Sequence, residues 1–235
     1  MNRMTNELDG AVIVDFPLRG ERWVAENTPG DRIPSHGTDM LGQRFAYDLL
    51  KVDERGPGLH YHPGGILRGF FIGVRTRDCY AWGAAIHAPF NGQIVGAADG
   101  VAERTRIHPL REPVLAFKNA ATFSPERLPS VLGNYVIMRR GDVFAAFAHL
   151  APDSVAVVTG QTVGTGDMLG RVGHTGNSTA PHLHFQLMDS PDSMHAKGVP
   201  CAFRTYEVLR NGSWKRVEKG IPRKADRIRY LGAGA

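Results

Sequence analysis

The sequence predicts a mainly β protein, an antiparallel sheet core with few short helices, and three observations carry that expectation. First, 28 glycines and 15 prolines in 235 residues imply many turns. Second, from residue 134 onward the chain becomes regular, with short runs at 135–139, 143–149, a glycine-punctuated stretch at 160–176, and 182–188. Third, Asn211-Gly212 sits between the runs 206–209 and 214–217, and these two residue types accept the positive φ of a two-residue hairpin turn. A chain of this length, 42% hydrophobic and 22% charged, buries a core without a disulfide scaffold.

Taken in order, residues 11–16 read as a first strand and the polar stretch 19–37, with its glycines and prolines, as a loop. Residues 44–50 read as a second strand. Side chains alternate in an extended chain, so Phe45, Tyr47 and Leu49 share one face while Ala46 and Asp48 share the other. Residues 51–83 contain Gly56-Pro57-Gly58 and Pro63-Gly64-Gly65 and then an apolar run, 66–74, the pattern of an insertion with structure of its own. A strand over 93–101 follows the turn Pro89-Phe90-Asn91-Gly92. Ser124-Pro125-Glu126 marks the start of a short helix that stops at Gly133, because serine accepts from free amides and proline fits the first turn. The expected organisation is an N-terminal strand and loop over 1–35, a core over 36–200 with an insertion at about 51–83, and a C-terminal hairpin and basic tail over 201–235.

The net charge of +5 suits an anionic environment such as a bacterial wall. The densest basic stretch, Lys215 to Arg229, is interrupted by Glu218 and Asp226 and has only Trp214 and Tyr230 as aromatic neighbours. It reads as a solvated face, and no nucleic-acid partner is expected. Cys79 and Cys201 form no CxxC pair, which excludes cysteine-based zinc or redox chemistry and leaves two buried thiols or one bridge. The start of the chain lacks the apolar run of a secretory signal, and no segment has the length of a membrane span. The default expectation is a cytoplasmic protein, or a secreted or wall-associated one if a leader was lost or export is non-standard.

Among ten histidines, His182 and His184 in PHLHF stand out, because residues two apart on a strand point to one face while Leu183 and Phe185 point to the other. Spacing alone does not select them, since His60 and His62 share it. The context does. Residues 148–187, AHLAPDSVAVVTGQTVGTGDMLGRVGHTGNSTAPHLHFQL, closely resemble the carboxy-terminal half of the catalytic core of lysostaphin-type (LytM-like) zinc metallopeptidases, many of which cut peptidoglycan cross-bridges. Residues 87–100, HAPFNGQIVGAADG, resemble the hairpin that precedes those strands. The family's usual histidine, three residues, aspartate segment is missing. In its place SHGTDMLGQRFAYDL offers His36 with Asp39 or Asp48, and Ala46-Tyr47-Asp48 resembles a looser form found in the family. Two ligands on one strand need even spacing; His36 to Asp39 is odd, whereas Asp48 on a strand can meet a loop-borne His36, so Asp48 is preferred.

The resemblance implies a lysostaphin-like metallopeptidase fold of the duplicated-hybrid-motif type, with a substrate groove across the sheet and residues 36–200 as the catalytic core. It implies Zn2+ held by His36, Asp48 and His184, with a fourth position open. It also implies that His149 and His182 handle protons, since the chain has no HExxH glutamate. The reaction implied is hydrolysis of a peptide bond, with peptidoglycan cross-bridges or stem peptides as substrate. The alternative is a non-catalytic binding or activator module of the same fold. A purely structural metal site would need a fourth protein ligand. His87, His108, His174 and His195 read as structural or surface residues, with His174 the one placed to approach the groove.

Overall fold

The computed structural model describes residues 9–54, 60–64, 72–108, 111–112, 114–115 and 128–232. Its strands in chain order are β1 (Val12–Val14), β2 (Gly20–Asn27), β3 (Tyr47–Lys51), β4 (Val74–Arg75), β5 (Ala85–His87), β6 (Gly92–Ala98), β7 (Arg106–Ile107) and β8 (Asn134–Arg140). They continue with β9 (Val143–Leu150), β10 (Thr162–Val163), β11 (Met168–Arg171), β12 (Leu183–Met188), β13 (Gly198–Val199), β14 (Cys201–Arg210), β15 (Ser213–Gly220) and β16 (Ile228–Tyr230). Twelve of them form one sheet in the order β1-β14-β16-β2-β3-β12-β9-β8-β6-β10, with β13 added to β12 and β15 to β14. Every pairing in it is antiparallel except β1 with β14. β5 with β11 and β4 with β7 make two small ribbons. The mainly β, antiparallel class expected from the turn-rich composition is the class found.

β12 lies between β3 and β9 in the sheet. Leu183, Phe185 and Leu187 point into the main core, where they meet Tyr47 and Leu49 of β3 and Phe147 of β9. The Phe185 ring lies 5.3 Å from that of Phe147 and 6.4 Å from that of Tyr47. Burying side chains of this size contributes roughly 1.5–3 kcal/mol each before packing is counted, so the inward set fixes the register of three strands. The alternate residues His182, His184 and Gln186 are thereby committed to the opposite face.

Several local expectations need correction. The stretch 19–37 is not all loop: Gly20–Asn27 is a strand between β16 and β3. Trp23 and Ala25 enter the main core while Val24 packs with Leu50 and Val52 on the other face. With both faces covered the polar-apolar alternation disappears, and three apolar residues between charged ones gave no strand signal. The strand expected from residue 44 begins at Tyr47, because a 3-10 turn, Met40–Phe45, precedes it with Leu41 and Gly42 at positive φ. The strand expected over 93–101 ends at Ala98. Cys79 and Cys201 are both buried and free, so no bridge joins them. The helix Leu128–Leu132 does end at Gly133, whose φ is +66°. Its expected start at 124–126, and most of the apolar run 66–74, lie outside the described residues. The hairpin turn at Asn211 and Gly212 has φ of 49° and 74°, the left-handed pair that the sequence called for. Among the described residues no helix is long and apolar enough to cross a membrane.

Candidate metal centre and active site

The register of the sheet builds the first half of the site. His184 of β12 stands directly opposite Asp48 of β3 and, on its other side, opposite Ala148 of β9. Directly paired residues in an antiparallel ladder put their side chains on the same face a few ångströms apart. His184 Nδ1 accordingly lies 3.0 Å from Asp48 Oδ1. His36 reaches the same carboxylate from the loop before the 3-10 turn, with Nε2 2.9 Å from Asp48 Oδ2. Its backbone neighbour Ser35 is fully buried and pinned there, its N–H donating to Arg44 O and its carbonyl accepting from Arg32 Nε.

Asp39, the other carboxylate near His36, is exposed and pairs with Arg44 at 2.6 Å, so the structure brings Asp48 and not Asp39 to the histidines. The ligand-type atoms of His36, Asp48 and His184 lie within 4.8 Å of one another, and so do those of His149, His182 and His184. His60, His62, His87, His108 and His195 are in neither group.

The second half is held by a loop. His149, next to last in β9, has a φ of 66°, and its Nδ1 donates to Thr175 O at 2.9 Å. His182 Nδ1 donates to Ala180 O at 2.7 Å and lies 3.2 Å from Ser178 Oγ, while its Nε2 is 3.2 Å from Asp48 Oδ1. The two rings are 4.9 Å apart. The TGNST stretch can take this path because Gly176 has a φ of +67° and packs on the turn after the short helix; a Cβ there would sit 2.5 Å from Val131 O and Gly133 N.

The hydrogen-bond directions show what the centre is suited to hold. Gln186 Nε2 donates to Leu41 O, which turns Gln186 Oε1 toward His184 Nε2 at 2.8 Å. His184 therefore carries its ring hydrogen on Nε2 and presents a bare Nδ1 to Asp48. Ser35 Oγ donates to Gln43 O and accepts from His36 Nδ1 at 3.0 Å, which leaves His36 Nε2 bare toward the other carboxylate oxygen. His182 donates through Nδ1 and turns its Nε2 to Asp48 Oδ1 at 3.2 Å. Two imidazole lone pairs, from His36 and His184, thus converge on one buried carboxylate, an arrangement of acceptors suited to a cation. Asn27 Nδ2 adds a single donor to Asp48 Oδ2 at 2.7 Å.

The electrostatics set His182 apart from His149. Burial opposes ionisation of Asp48, but His36 and His182 outweigh it and hold the carboxyl well below its usual range. Burial and the neighbouring histidines push His149 well down, whereas for His182 the Asp48 carboxylate overcomes burial and pushes the imidazole up. All five residues line one cleft of about 330 Å³, joined by Met40, Leu41, Val131, Leu132, Asn177 and Thr179.

Sequence reasoning missed Asn27, Ser35, Ser178 and Gln186. Gln186 was legible, as the third member of the 182, 184, 186 alternation. Asn27 was not, because its strand was hidden. Ser35 and Ser178 are ordinary loop residues until the fold places them behind an imidazole.

A groove in an antiparallel sheet, floored by histidines and an aspartate with converging lone pairs, is the layout of a β-type metallopeptidase. The family model described as peptidase family M23 matches residues 79–196, and the chain belongs to that family. The matched span includes His149, His182 and His184, while His36 and Asp48 precede it. The chain is 30% identical over 101 residues to the peptidoglycan DD-endopeptidase ShyA of Vibrio cholerae, covering 43% of this chain and 18% of that protein. It is 29% identical over 161 residues to the cell division protein DipM of Caulobacter vibrioides, covering 67% and 22%. The chain thus spans about a fifth of the length of these curated relatives. The solution structure of lysostaphin matches with 26% identity over 61% of this chain and 46% of that one, at a TM-score of 0.33.

Proposed function

We propose that the chain is a zinc metalloendopeptidase that hydrolyses peptide bonds in peptidoglycan, in its cross-bridges or stem peptides. The observation that carries this reading is the convergence of bare imidazole nitrogens from His36 and His184 on the Asp48 carboxylate. Two imidazoles and a carboxylate are a donor set that suits zinc and leaves a position for water or substrate. When bound, the metal supplies a Lewis acid for the scissile carbonyl and a water whose pKa is lowered to about 7. The substrate is supported by membership of family M23 and by the peptidoglycan endopeptidase named among the relatives.

The protein's own residues do the rest. His149 and His182 each spend Nδ1–H on a loop carbonyl and turn Nε2 the other way, that of His182 lying 3.2 Å from Asp48 Oδ1. One takes the proton of the attacking water on a bare Nε2, and the other, carrying a second ring hydrogen on its Nε2, donates it toward the oxygen that becomes negative and then toward the departing amine. Backbone acceptors behind both rings prevent them from flipping, so orientation is fixed before substrate arrives. All five residues of the implied constellation are present together, which favours an enzyme over a binding module.

The test compares two single substitutions in metal content and in release of muropeptides from purified peptidoglycan. His184→Ala is expected to lose zinc and hydrolysis together. His149→Ala is expected to keep zinc and lose most turnover. Equal metal loss in both would overturn the division of roles, and a zinc-loaded wild type that releases nothing would overturn the substrate.

A further inference from the structure

The loop that carries the supports of His149 and His182 is itself held from behind by a residue outside the cleft. Arg104, between β6 and β7, donates from Nη1 to Gly176 O at 3.2 Å and from Nη2 to Ser178 O at 2.6 Å. Its Nη2 also lies 3.1 Å from His174 Nε2 and 2.9 Å from the carboxylate of Glu112, which is almost fully buried. The adjacent Glu103 accepts from the His174 backbone N–H at 3.1 Å. This whole assembly touches neither the carboxylate nor the imidazoles of the proposed metal centre.

We propose that Arg104 is a positioning residue that fixes the tautomer of His182 through His174 and Ser178. A guanidinium donates only, so His174 Nε2 must accept from it and the ring hydrogen of His174 must sit on Nδ1. That nitrogen donates to Ser178 Oγ at 3.0 Å. With one hydrogen arriving, Ser178 turns its own toward Ala180 O at 2.7 Å. His182 Nδ1 then faces two acceptors, Ala180 O and Ser178 Oγ, and can only be a donor. The consequence appears at the far side of the ring, where Nε2 is the nitrogen turned toward Asp48 and the cleft. Burial and the charge of Arg104 push His174 down to about 3, so it stays a neutral relay with one hydrogen at any working pH. Remove the guanidinium, and both His174 and Ser178 are free to reverse direction.

The catalytic weight of this chain rests on the peptidase reading above, but the tautomer itself does not, and the experiment separates them. The 235-residue chain labelled with 15N in its histidine rings is compared with Arg104→Met combined with Glu112→Gln, the second change removing a carboxylate that would otherwise be buried without its partner. The His182 ring nitrogens should move from a single Nδ1–H pattern to a mixture, while the His36 and His184 signals and zinc per chain stay as in the wild type. Turnover should fall about 10- to 100-fold, the usual loss for a residue behind a working imidazole, with KM within about twofold. Arg104→Lys, donor-only like arginine, should restore the single pattern, and it serves as the measured variant if the double change fails to fold. A folded double variant, or a folded Arg104→Lys, whose His182 pattern departs from these expectations would overturn the proposal. So would lost turnover with an unchanged tautomer. A wild type without peptidoglycan hydrolysis would instead sink the peptidase reading and leave the ring-nitrogen result standing.

Discussion

The two halves of the cleft are held by different means. Asp48 and His184 sit opposite one another in a continuous ladder whose register is set by Tyr47, Leu49, Leu183 and Phe185 packing beneath. His149 and His182 depend on carbonyls of the loop that follows β11, at Thr175 and Ala180, and on a glycine at positive φ. The first pair cannot be moved without breaking the core, whereas the second can be moved by changing hydrogen bonds alone. The half proposed to hold the metal is therefore built for fixed distance and the half proposed to handle protons for fixed direction.

The largest expected effect comes from breaking the rigid half. Asp48→Asn keeps the shape but removes the charge on which three imidazoles converge. Structural zinc sites bind with roughly 10–16 kcal/mol shared among their ligands, so losing this one should weaken zinc by at least about a thousandfold, read by competition with a chelator. A substitution in the other half should spare the metal: His182→Ala is expected to cut kcat by about 10²- to 10⁴-fold with zinc per chain unchanged, measured on the same preparations. If His182→Ala lost metal as readily as Asp48→Asn, the contrast between the halves would collapse.

Gln186→Leu sharpens the comparison, because it removes the acceptor that keeps the hydrogen of His184 on Nε2 without touching the sheet register. A fall in zinc affinity of about 10- to 100-fold is expected, with the thermal midpoint of the metal-free protein nearly unchanged.

The smallest effect concerns acid. His174 is buried and neutral down to about pH 3, while in the unfolded chain it takes a proton near 6.5. Below about pH 6.5 the unfolded state binds the extra proton, so its contribution to stability is present above that pH and is lost as pH falls toward 3. In chelator-treated protein, urea unfolding at pH 6.5 and 5.5 should show a loss of about 1 kcal/mol that His174→Gln reduces. A slope unchanged by that substitution would place the acid sensitivity elsewhere in the cleft.

Part of this was legible beforehand. The pair His182 and His184, facing away from Leu183 and Phe185, followed from the two-residue period of a strand; the preference for Asp48 over Asp39 rested on resemblance and parity, and the fold places Asp48 opposite His184 and Asp39 against Arg44. The hairpin at Asn211-Gly212 was a turn that its residues nearly dictate. β2 was not legible, because a strand covered on both faces loses its alternation, and Asn27 was lost with it. Nor was Arg104, whose loop partners at 174, 176 and 178 lie about 70 residues away, two of them backbone carbonyls that carry no sequence signature.

What the sequence determined alone was the set of local alternations and turns: which side chains share a face, where the chain can reverse, and which residue types could meet a metal. What only the tertiary structure decided was which way each imidazole points its hydrogen. That depends on acceptors brought in from distant segments, such as Gln186 locked by Leu41 O and Ser178 flanked by His174, and a ring nitrogen has no preference until such a neighbour arrives.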